Sequence, residues 1–132
     1  MIELGIKGQQ SMMVTSDNTA KALKSGSLEV FGTPAMMALM EETAWKSIDS
    51  YLEEGDVTVG TSMTLTHDAP TPVGVLVRAE SILRSYHDRK FVFEITVYDE
   101  FGQIGTGVHE RFLVHEKRFL DKANLKLDEG SI

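Results

Sequence analysis

The hydrophobic period of this chain changes at Gly55, and this change limits the folds that the chain can adopt. Residues 34–52 consist mainly of strong helix formers, and Thr33 offers a capping hydroxyl immediately before Pro34, a favoured first helical residue. The pattern predicts a helix of about 18 residues that ends before Gly55. After Gly55 the period is two, which predicts four strands, at residues 57–67, 73–85, 91–99 and 103–116.

The turns between these four runs are short, which favours an antiparallel meander over parallel strands joined by crossover helices. One long helix followed by such a meander is an α+β arrangement in which the sheet wraps the helix. Upstream, residues 10–15 predict a short strand and residues 16–24 a brief helix. Downstream, residues 117–132 shift toward charge, so we expect a single domain over residues 1–132 that ends in a charged C-terminal tail.

Composition narrows the class of function. A chain of 132 residues can bury a real core without covalent staples, and the absence of cysteine excludes a catalytic thiol, a thiolate zinc site and disulfides. The net charge of −7 opposes binding to nucleic acid. The N-terminus lacks the features of a signal peptide, and no apolar run is long enough for a membrane span. We therefore expect a cytoplasmic protein that binds neither nucleic acid nor membrane.

Two adjacent carboxylates on the predicted helix have different surroundings. Glu42 falls on the polar side, whereas Glu41 lies within an apolar stripe made of Met37, Met40, Ala44, Ile48 and Leu52. A buried carboxylate costs several kcal/mol unless it is paired or protonated. Glu41 therefore either reaches solvent at the edge of the stripe, forms a structural ion pair, or acts as an acid or base.

The run that ends at His67 places this histidine on the apolar face of its strand, with Met63 and Leu65. If that face packs on the helix, His67 and Glu41 can meet as an acid/base pair. The alternative is a hydrogen-bonded core histidine.

Thr33 has an obvious structural role as a helix cap. A helix N-terminus also offers free N–H groups, here those of Ala35 or Met36, to a developing oxyanion. Thr33 and Glu41 are roughly 12 Å apart along the helix and cannot touch. A site that uses both needs an intervening substrate or a second subunit.

The last strand contains a block of charge, His109-Glu110-Arg111, which is most simply an exposed or ion-paired stretch. His109 and His115 are roughly 20 Å apart on a strand, too far to share one metal. The glycines of residues 102–107 lie between two strands and so do not form a phosphate-binding loop. The sequence therefore predicts no metal site and no cofactor.

Three segments together resemble one family: Val30-Phe-Gly-Thr33-Pro-Ala-Met-Met-Ala-Leu-Met-Glu41, Gly60-Thr-Ser-Met-Thr-Leu-Thr-His67-Asp-Ala-Pro-Thr-Pro-Val-Gly74 and Ile104-Gly-Thr-Gly-Val-His-Glu-Arg111. They are similar to the hotdog-fold thioesterases related to fluoroacetyl-CoA thioesterase. The likeness runs from about Val14 to Lys117. It implies a hotdog fold, in which an antiparallel sheet wraps a central helix, and a homodimer with its sites at or near the subunit interface.

The resemblance also implies the chemistry, which is hydrolysis of an acyl-CoA thioester without a cofactor. Thr33, Glu41 and His67 match the catalytic set of the family, and Gly60 and Arg111 match positions that contact substrate. Glu41 would act as the nucleophile or as the base for water, His67 would transfer protons, and Thr33 would orient the site by hydrogen bonding.

Two other functions fit the same sequence. A hotdog hydratase or dehydratase would act on an acyl-CoA without releasing CoA, and a non-catalytic hotdog protein would only bind an acyl-CoA or another apolar ligand. Fluoroacetate-specific relatives carry an aromatic lid residue upstream of the helix, whereas residues 15–29 here contain no aromatic side chain. We therefore expect no strong selectivity for a fluorinated acyl group.

Overall fold

A five-stranded antiparallel sheet packs across one long helix. The computed structural model describes residues 2–130, with side chains through residue 128. The elements are β1 (Lys7–Met13), α1 (Thr33–Asp49), β2 (Asp56–His67), β3 (Leu76–His87), β4 (Lys90–Asp99), β5 (Gly102–His115) and α2 (Glu116–Gly130). Helix α1 contacts all five strands, and the core lies between them. This confirms the α+β class and the central helix.

The order of strands in the sheet is β1-β3-β4-β5-β2, so the predicted meander is wrong for β2. Strand β2 pairs with β5 and leaves β3 on the far side of β4. The connection at residues 68–75 crosses the ends of the intervening strands, because the Asp68 N–H donates to the Ile104 carbonyl and the Thr71 hydroxyl donates to Asp99. Local patterning predicted the strands but not this long-range pairing, which depends on the anchored connection.

The N-terminus of α1 is capped by the backbone of Gly32, and no side chain caps it. The predicted capping role of Thr33 is therefore wrong. Thr33 is itself the first helical residue, and Pro34 follows it, so the Thr33 hydroxyl is free to bond elsewhere. At the other end the helix stops at Asp49 rather than Leu52, and the Leu52 N–H closes a tight turn onto the Asp49 carbonyl.

The buried face of α1 is rotated from the predicted stripe. Its fully buried members are Ala35, Met36, Leu39, Met40, Thr43, Ala44 and Ile48, whereas Met37 and Leu52 are only partly buried. The polar Thr43 is accommodated because its hydroxyl donates to the Leu39 carbonyl at 2.7 Å. This rotation puts Glu41 at the edge of the buried face rather than inside it.

Both ends of the chain differ from expectation. Strand β1 lies at Lys7–Met13 rather than at residues 10–15, and residues 16–24 form turns instead of a helix. The expected tail is largely helix α2, which starts at Glu116, because residues 116–129 are rich in helix formers and contain no glycine or proline. Residues 131 and 132 lie outside the described part.

Neither helix between residues 2 and 130 has the length and apolar character that a membrane crossing requires.

Gly8 lets α1 lie directly on strand β1. A Cβ atom at position 8 would lie 2.7 Å from Ser47 Cβ, 2.7 Å from the Thr43 carbonyl oxygen and 2.8 Å from Ser81 Oγ. All three separations are shorter than a carbon atom tolerates, and one of them involves the backbone of the helix. The contact between helix and sheet at this point therefore requires glycine.

We predict that Gly8→Ala lowers the free energy of unfolding by about 1–3 kcal/mol, because the methyl group must push α1 off the sheet. Urea unfolding of the variant and the parent measures this change. Gly26→Ala is the matched control, since a Cβ there meets only Ala20 Cβ at an ordinary 3.4 Å. Equal unfolding midpoints for the two variants would contradict the packing argument.

Candidate active site

The first half of the site lies where the N-terminus of α1 meets the end of β2. The Thr33 hydroxyl and His67 Nδ1 are 2.8 Å apart and share a hydrogen bond. The other ring nitrogen, Nε2, is buried and has no hydrogen-bond partner among the described residues. Burial lowers the pKa of His67, and the opposing attraction of Asp68 is weaker. The ring is therefore neutral at pH 7, with one nitrogen able to donate and the other to accept.

A cleft of about 280 Å³ opens beside this pair. The residues that line it include Phe31, Thr33, His67, Asp68, Ala69 and Pro70. The ring of Phe31 meets the imidazole edge-on, with 6.3 Å between ring centroids. The cleft can therefore admit a small group beside the residues Thr33 and His67.

The second half of the site lies on the middle of α1, where Glu41 faces β2 and β5. Glu41 Oε2 is 3.8 Å from Arg111 Nη1, and the side chain of Glu41 is 41% exposed while that of Arg111 is 7% exposed. A Cβ atom at Gly60 would lie 2.8 Å from Glu41 Oε2 and 3.3 Å from Arg111 Nη1. Glycine is thus the only residue that leaves this carboxylate and guanidinium in place.

Arg111 is held by directed hydrogen bonds on two sides. Its Nε donates to Thr58 Oγ1 at 2.8 Å, its Nη2 donates to the Thr58 carbonyl at 2.8 Å, and its Nη1 donates to His109 Nε2 at 3.1 Å. Burial lowers the pKa of Arg111 and the nearby Glu41 carboxylate opposes that shift, but a guanidinium remains charged at any physiological pH. The group is a fixed cation directed at Glu41.

His109 is almost completely buried, with 1% exposure, next to Arg111 on β5. Its Nδ1 lies 2.8 Å from the Ser62 carbonyl. Burial lowers the pKa of His109, and Arg111 lowers it further, while the bond to Ser62 and the carboxylates of Glu41 and Glu110 oppose the shift. His109 is therefore a neutral histidine in a charged neighbourhood.

The structure brings the predicted residues together in two groups, not one. Thr33 contacts His67, and Glu41 contacts Arg111 and Gly60, but no contact joins His67 to Glu41. The predicted meeting of Glu41 and His67 within one chain is wrong, because His67 lies at the N-terminus of α1, about two helical turns from Glu41. Glu42 is on the polar side as predicted, where it pairs with Lys46 at 2.6 Å.

Sequence reasoning missed the burial of His109 and Arg111. Within the block of residues 109–111, only Glu110 forms the expected ion pair at the surface, with Lys90 at 3.1 Å. The sequence signal for this burial was the two-residue alternation of side-chain direction along β5. Gly105 and Gly107 face the helix, and His109 and Arg111 are the next two residues on the same face. Thr58, which holds Arg111, was also missed, and nothing in the sequence marked it.

Comparison with known proteins gives consistent likenesses. The family described as fluoroacetyl-CoA-specific thioesterase matches residues 14–117. The fluoroacetyl-CoA thioesterase of Streptantibioticus cattleyicolor is 36% identical over 102 residues, which are 77% of this chain and 73% of that protein. A solved structure of the fluoroacetyl-CoA thioesterase FlK superposes with a TM-score of 0.90 at 30% identity, covering 96% of this chain and 98% of that chain.

A more distant solved structure shares the fold alone. It is a Thermus thermophilus hypothetical protein described as a thioesterase superfamily member, with a TM-score of 0.88 at 24% identity, covering 98% of this chain and 95% of that chain.

The fold and these likenesses define the class of the protein, which is a hotdog-fold thioester hydrolase. Within that class the chain belongs to the fluoroacetyl-CoA-specific thioesterase family, whose match extends over most of its length.

Proposed function

We propose that this protein hydrolyses a short acyl-CoA thioester to the free acid and CoA. The observation that carries the proposal is the carboxylate of Glu41 held beside the buried guanidinium of Arg111 at a strand position without a side chain, Gly60. The absence of a Cβ at position 60 lets the carboxylate and the guanidinium lie side by side against the strand, and the 41% exposure of the Glu41 side chain leaves the carboxylate accessible to a thioester carbonyl. The positively charged guanidinium of Arg111 stabilises the negative charge that develops on the carbonyl oxygen.

Glu41 acts either as the nucleophile or as the base for water. As nucleophile, its carboxylate oxygen bonds to the carbonyl carbon, the C–S bond breaks, CoA leaves as a thiolate, and water then hydrolyses the anhydride. As base, Glu41 accepts a proton from the water that attacks the same carbon. In both cases Arg111 has N–H groups left over for the oxyanion, because each of its three nitrogens uses one hydrogen for the bonds to Thr58 and His109.

His67 transfers protons in this proposal, and Thr33 orients it. The lowered pKa of His67, caused by burial, keeps a neutral imidazole available at pH 7. Its ring borders the cleft and its Nε2 has no partner among the described residues, so in this proposal the imidazole exchanges a proton with water or with the departing thiolate.

The two halves of the site are completed by a second copy of the chain in this proposal. Strand β2 is an edge of the sheet and is paired only with β5, which leaves one side of its backbone open to pairing with another β2. Position 37 is midway between Thr33 and Glu41 on α1, and positions 63 and 64 are midway between Gly60 and His67 on β2. A two-fold axis beside these midpoints puts Thr33 and His67 of one protomer near Glu41 and Gly60 of its partner.

We also propose a single domain and a cytoplasmic location. Helix α1 packs on every strand of one sheet, which supports one domain across the described residues. A chain without cysteine has no disulfide that would indicate an oxidising compartment.

The first prediction concerns substrate. A panel of short acyl-CoAs should release thiol, measured with a thiol-reactive dye, whereas a hydratase or a simple binding protein would release none. An electron-withdrawing fluorine activates the carbonyl, but residues 15–29 offer no aromatic group to select it. The preference for fluoroacetyl-CoA over acetyl-CoA should therefore match the ratio of their hydrolysis rates in alkaline buffer. A ratio of specificity constants several orders of magnitude larger would refute this expectation.

The second prediction uses the neighbouring carboxylates. Glu41→Gln should lower turnover by at least roughly a hundredfold, as expected for loss of an acid/base or nucleophilic group. Glu42→Gln should leave turnover nearly unchanged, because Glu42 is engaged with Lys46 on the polar side of the helix. Both variants should fold. Full activity in Glu41→Gln, or damage confined to Glu42→Gln, would exclude the proposed role of Glu41.

The third prediction tests the shared site. Glu41→Gln and His67→Gln homodimers should each be nearly inactive, but a mixture that exchanges subunits should regain about a quarter of the wild-type rate. Half of the mixed population is then heterodimeric, and each heterodimer has one site with both residues intact. If each site lay within one protomer, the mixture would stay inactive. Sedimentation velocity should report a dimer throughout.

A further inference from the structure

We propose that His109 is a positioning residue that fixes both Arg111 and the Gly60 segment through two directed hydrogen bonds, and that it does so only as the neutral Nδ1–H tautomer. The inference rests on the proposed roles of Arg111 and Gly60 in binding the thioester. It gives a function to a buried side chain that the mechanism does not otherwise use.

The bonding pattern determines the protonation state of His109. Arg111 has only donors, so its Nη1, 3.1 Å from His109 Nε2, requires Nε2 to be an unprotonated acceptor. The Ser62 carbonyl has only acceptors, so His109 Nδ1, 2.8 Å away, must carry the hydrogen. One tautomer of the neutral ring satisfies both partners, and neither the other tautomer nor the cation does.

The bond to Ser62 acts on the backbone of β2. The pairing of β2 with β5 shifts register between Gly60 and Ser62, which places a bulge at Thr61. His109 Nδ1 holds the carbonyl on the far side of that bulge, and its Cε1 would be 3.2 Å from a Cβ at Gly60. The imidazole therefore supports the backbone at the position where the substrate would pass Glu41.

The bond to Arg111 completes the support of the guanidinium. Thr58 holds Nε and Nη2 on one side, and His109 holds Nη1, the nitrogen nearest to Glu41. Without His109, the edge of the guanidinium that faces Glu41 can rotate about the Thr58 contacts. Loss of His109 therefore misorients the guanidinium of Arg111, which is the group proposed to bind the developing oxyanion.

Acid should disable this arrangement. The charged groups that face His109 are Arg111 and Glu110 on β5 and Glu41 on α1, while β4 contributes the ring of Phe93 at 6.4 Å between centroids. Burial lowers the pKa of His109 below its ordinary value of 6.5, so the ring is neutral at pH 7 and gains a proton only in more acidic solution. Protonation puts a hydrogen on Nε2, which removes the acceptor and places two cations against each other.

Three substitutions at position 109 separate positioning from simple packing. In His109→Gln, the amide oxygen can replace Nε2 as acceptor for Arg111 and cannot be protonated at moderate pH. In His109→Asn, the shorter amide can replace Nδ1 as donor to Ser62 but does not reach Arg111. His109→Leu fills the space and replaces neither bond. His115→Gln, on the same strand but with an exposed side chain, is the matched control.

The measurement is the steady-state kcat and KM from pH 5.5 to 8 for the panel thioester that the wild type hydrolyses fastest. At pH 7.5 we expect kcat/KM to fall roughly tenfold to a hundredfold in His109→Leu and His109→Asn, as for loss of a hydrogen bond to a charged group. His109→Gln should stay within about threefold of wild type. Below pH 6.5 the wild-type kcat should fall more than that of His109→Gln, because protonated His109 misplaces the guanidinium assigned to the developing oxyanion.

Several results would overturn the inference. Equal activity in all three variants and wild type, equal impairment of all three, or a fall of kcat in acid that is as large in His109→Gln as in the wild type would each do so. If His109→Leu does not fold, the comparison of Gln with Asn still decides. If the wild type hydrolyses no acyl-CoA, the proposed function fails, and the ¹⁵N chemical shifts of the ring then test the tautomer separately. A cation or an Nε2–H ring at pH 7 would refute it.

Discussion

The close approach of α1 to β5 determines where every group of the site can lie. Gly105 and Gly107 face the helix, and Cβ atoms there would meet the methyl groups of Met36 and Met40 at 2.9 Å and 2.7 Å. Because strand residues alternate in direction, the next two side chains on that face are His109 and Arg111. The helix advances past Met40 at the same place, which brings Glu41 over Arg111. The proposed half-site around Glu41 is thus a continuation of the core packing.

The ion pair between Glu41 and Arg111 in this half-site is long. A hydrogen-bonded carboxylate and guanidinium lie about 2.8 Å apart, whereas Glu41 and Arg111 are separated by 3.8 Å. Arg111 donates its hydrogen bonds to Thr58 and His109 instead. These bonds offset the free-energy cost of burying the guanidinium. The carboxylate of Glu41 is consequently partly exposed, and it is attracted by the guanidinium without forming a direct hydrogen bond to it. The proposed reaction of Glu41 with a carbonyl or with water needs this freedom.

The sequence was sufficient for the features that depend on local periodicity. It predicted α1 and the four long strands within a few residues, and it placed Glu42 on the polar side, but the expected burial of Glu41 is wrong, because its side chain is 41% exposed against 38% for Glu42. It was not sufficient for the features that depend on which distant segments meet. Nothing local shows that β2 pairs with β5, that the hydroxyl of Thr33 leaves its cap for His67, or that charged residues of β5 lie beneath a helix. Those outcomes depend on the anchored connection at residues 68–75 and on the register at Gly105 and Gly107.

The separation of the two half-sites within one chain has a chemical consequence under the proposed assembly. If His67 and Glu41 touched in the folded protomer, the carboxylate would favour the charged imidazole and raise its pKa. Kept apart, His67 stays neutral and bound to Thr33, and Glu41 stays beside Arg111. Each chain then organises both halves completely, and dimerisation only has to bring the His67 half of one protomer opposite the Glu41 half of its partner. A thioester between them separates Glu41 from the proton carrier, so that His67 keeps the neutral form that the proposed proton transfer requires.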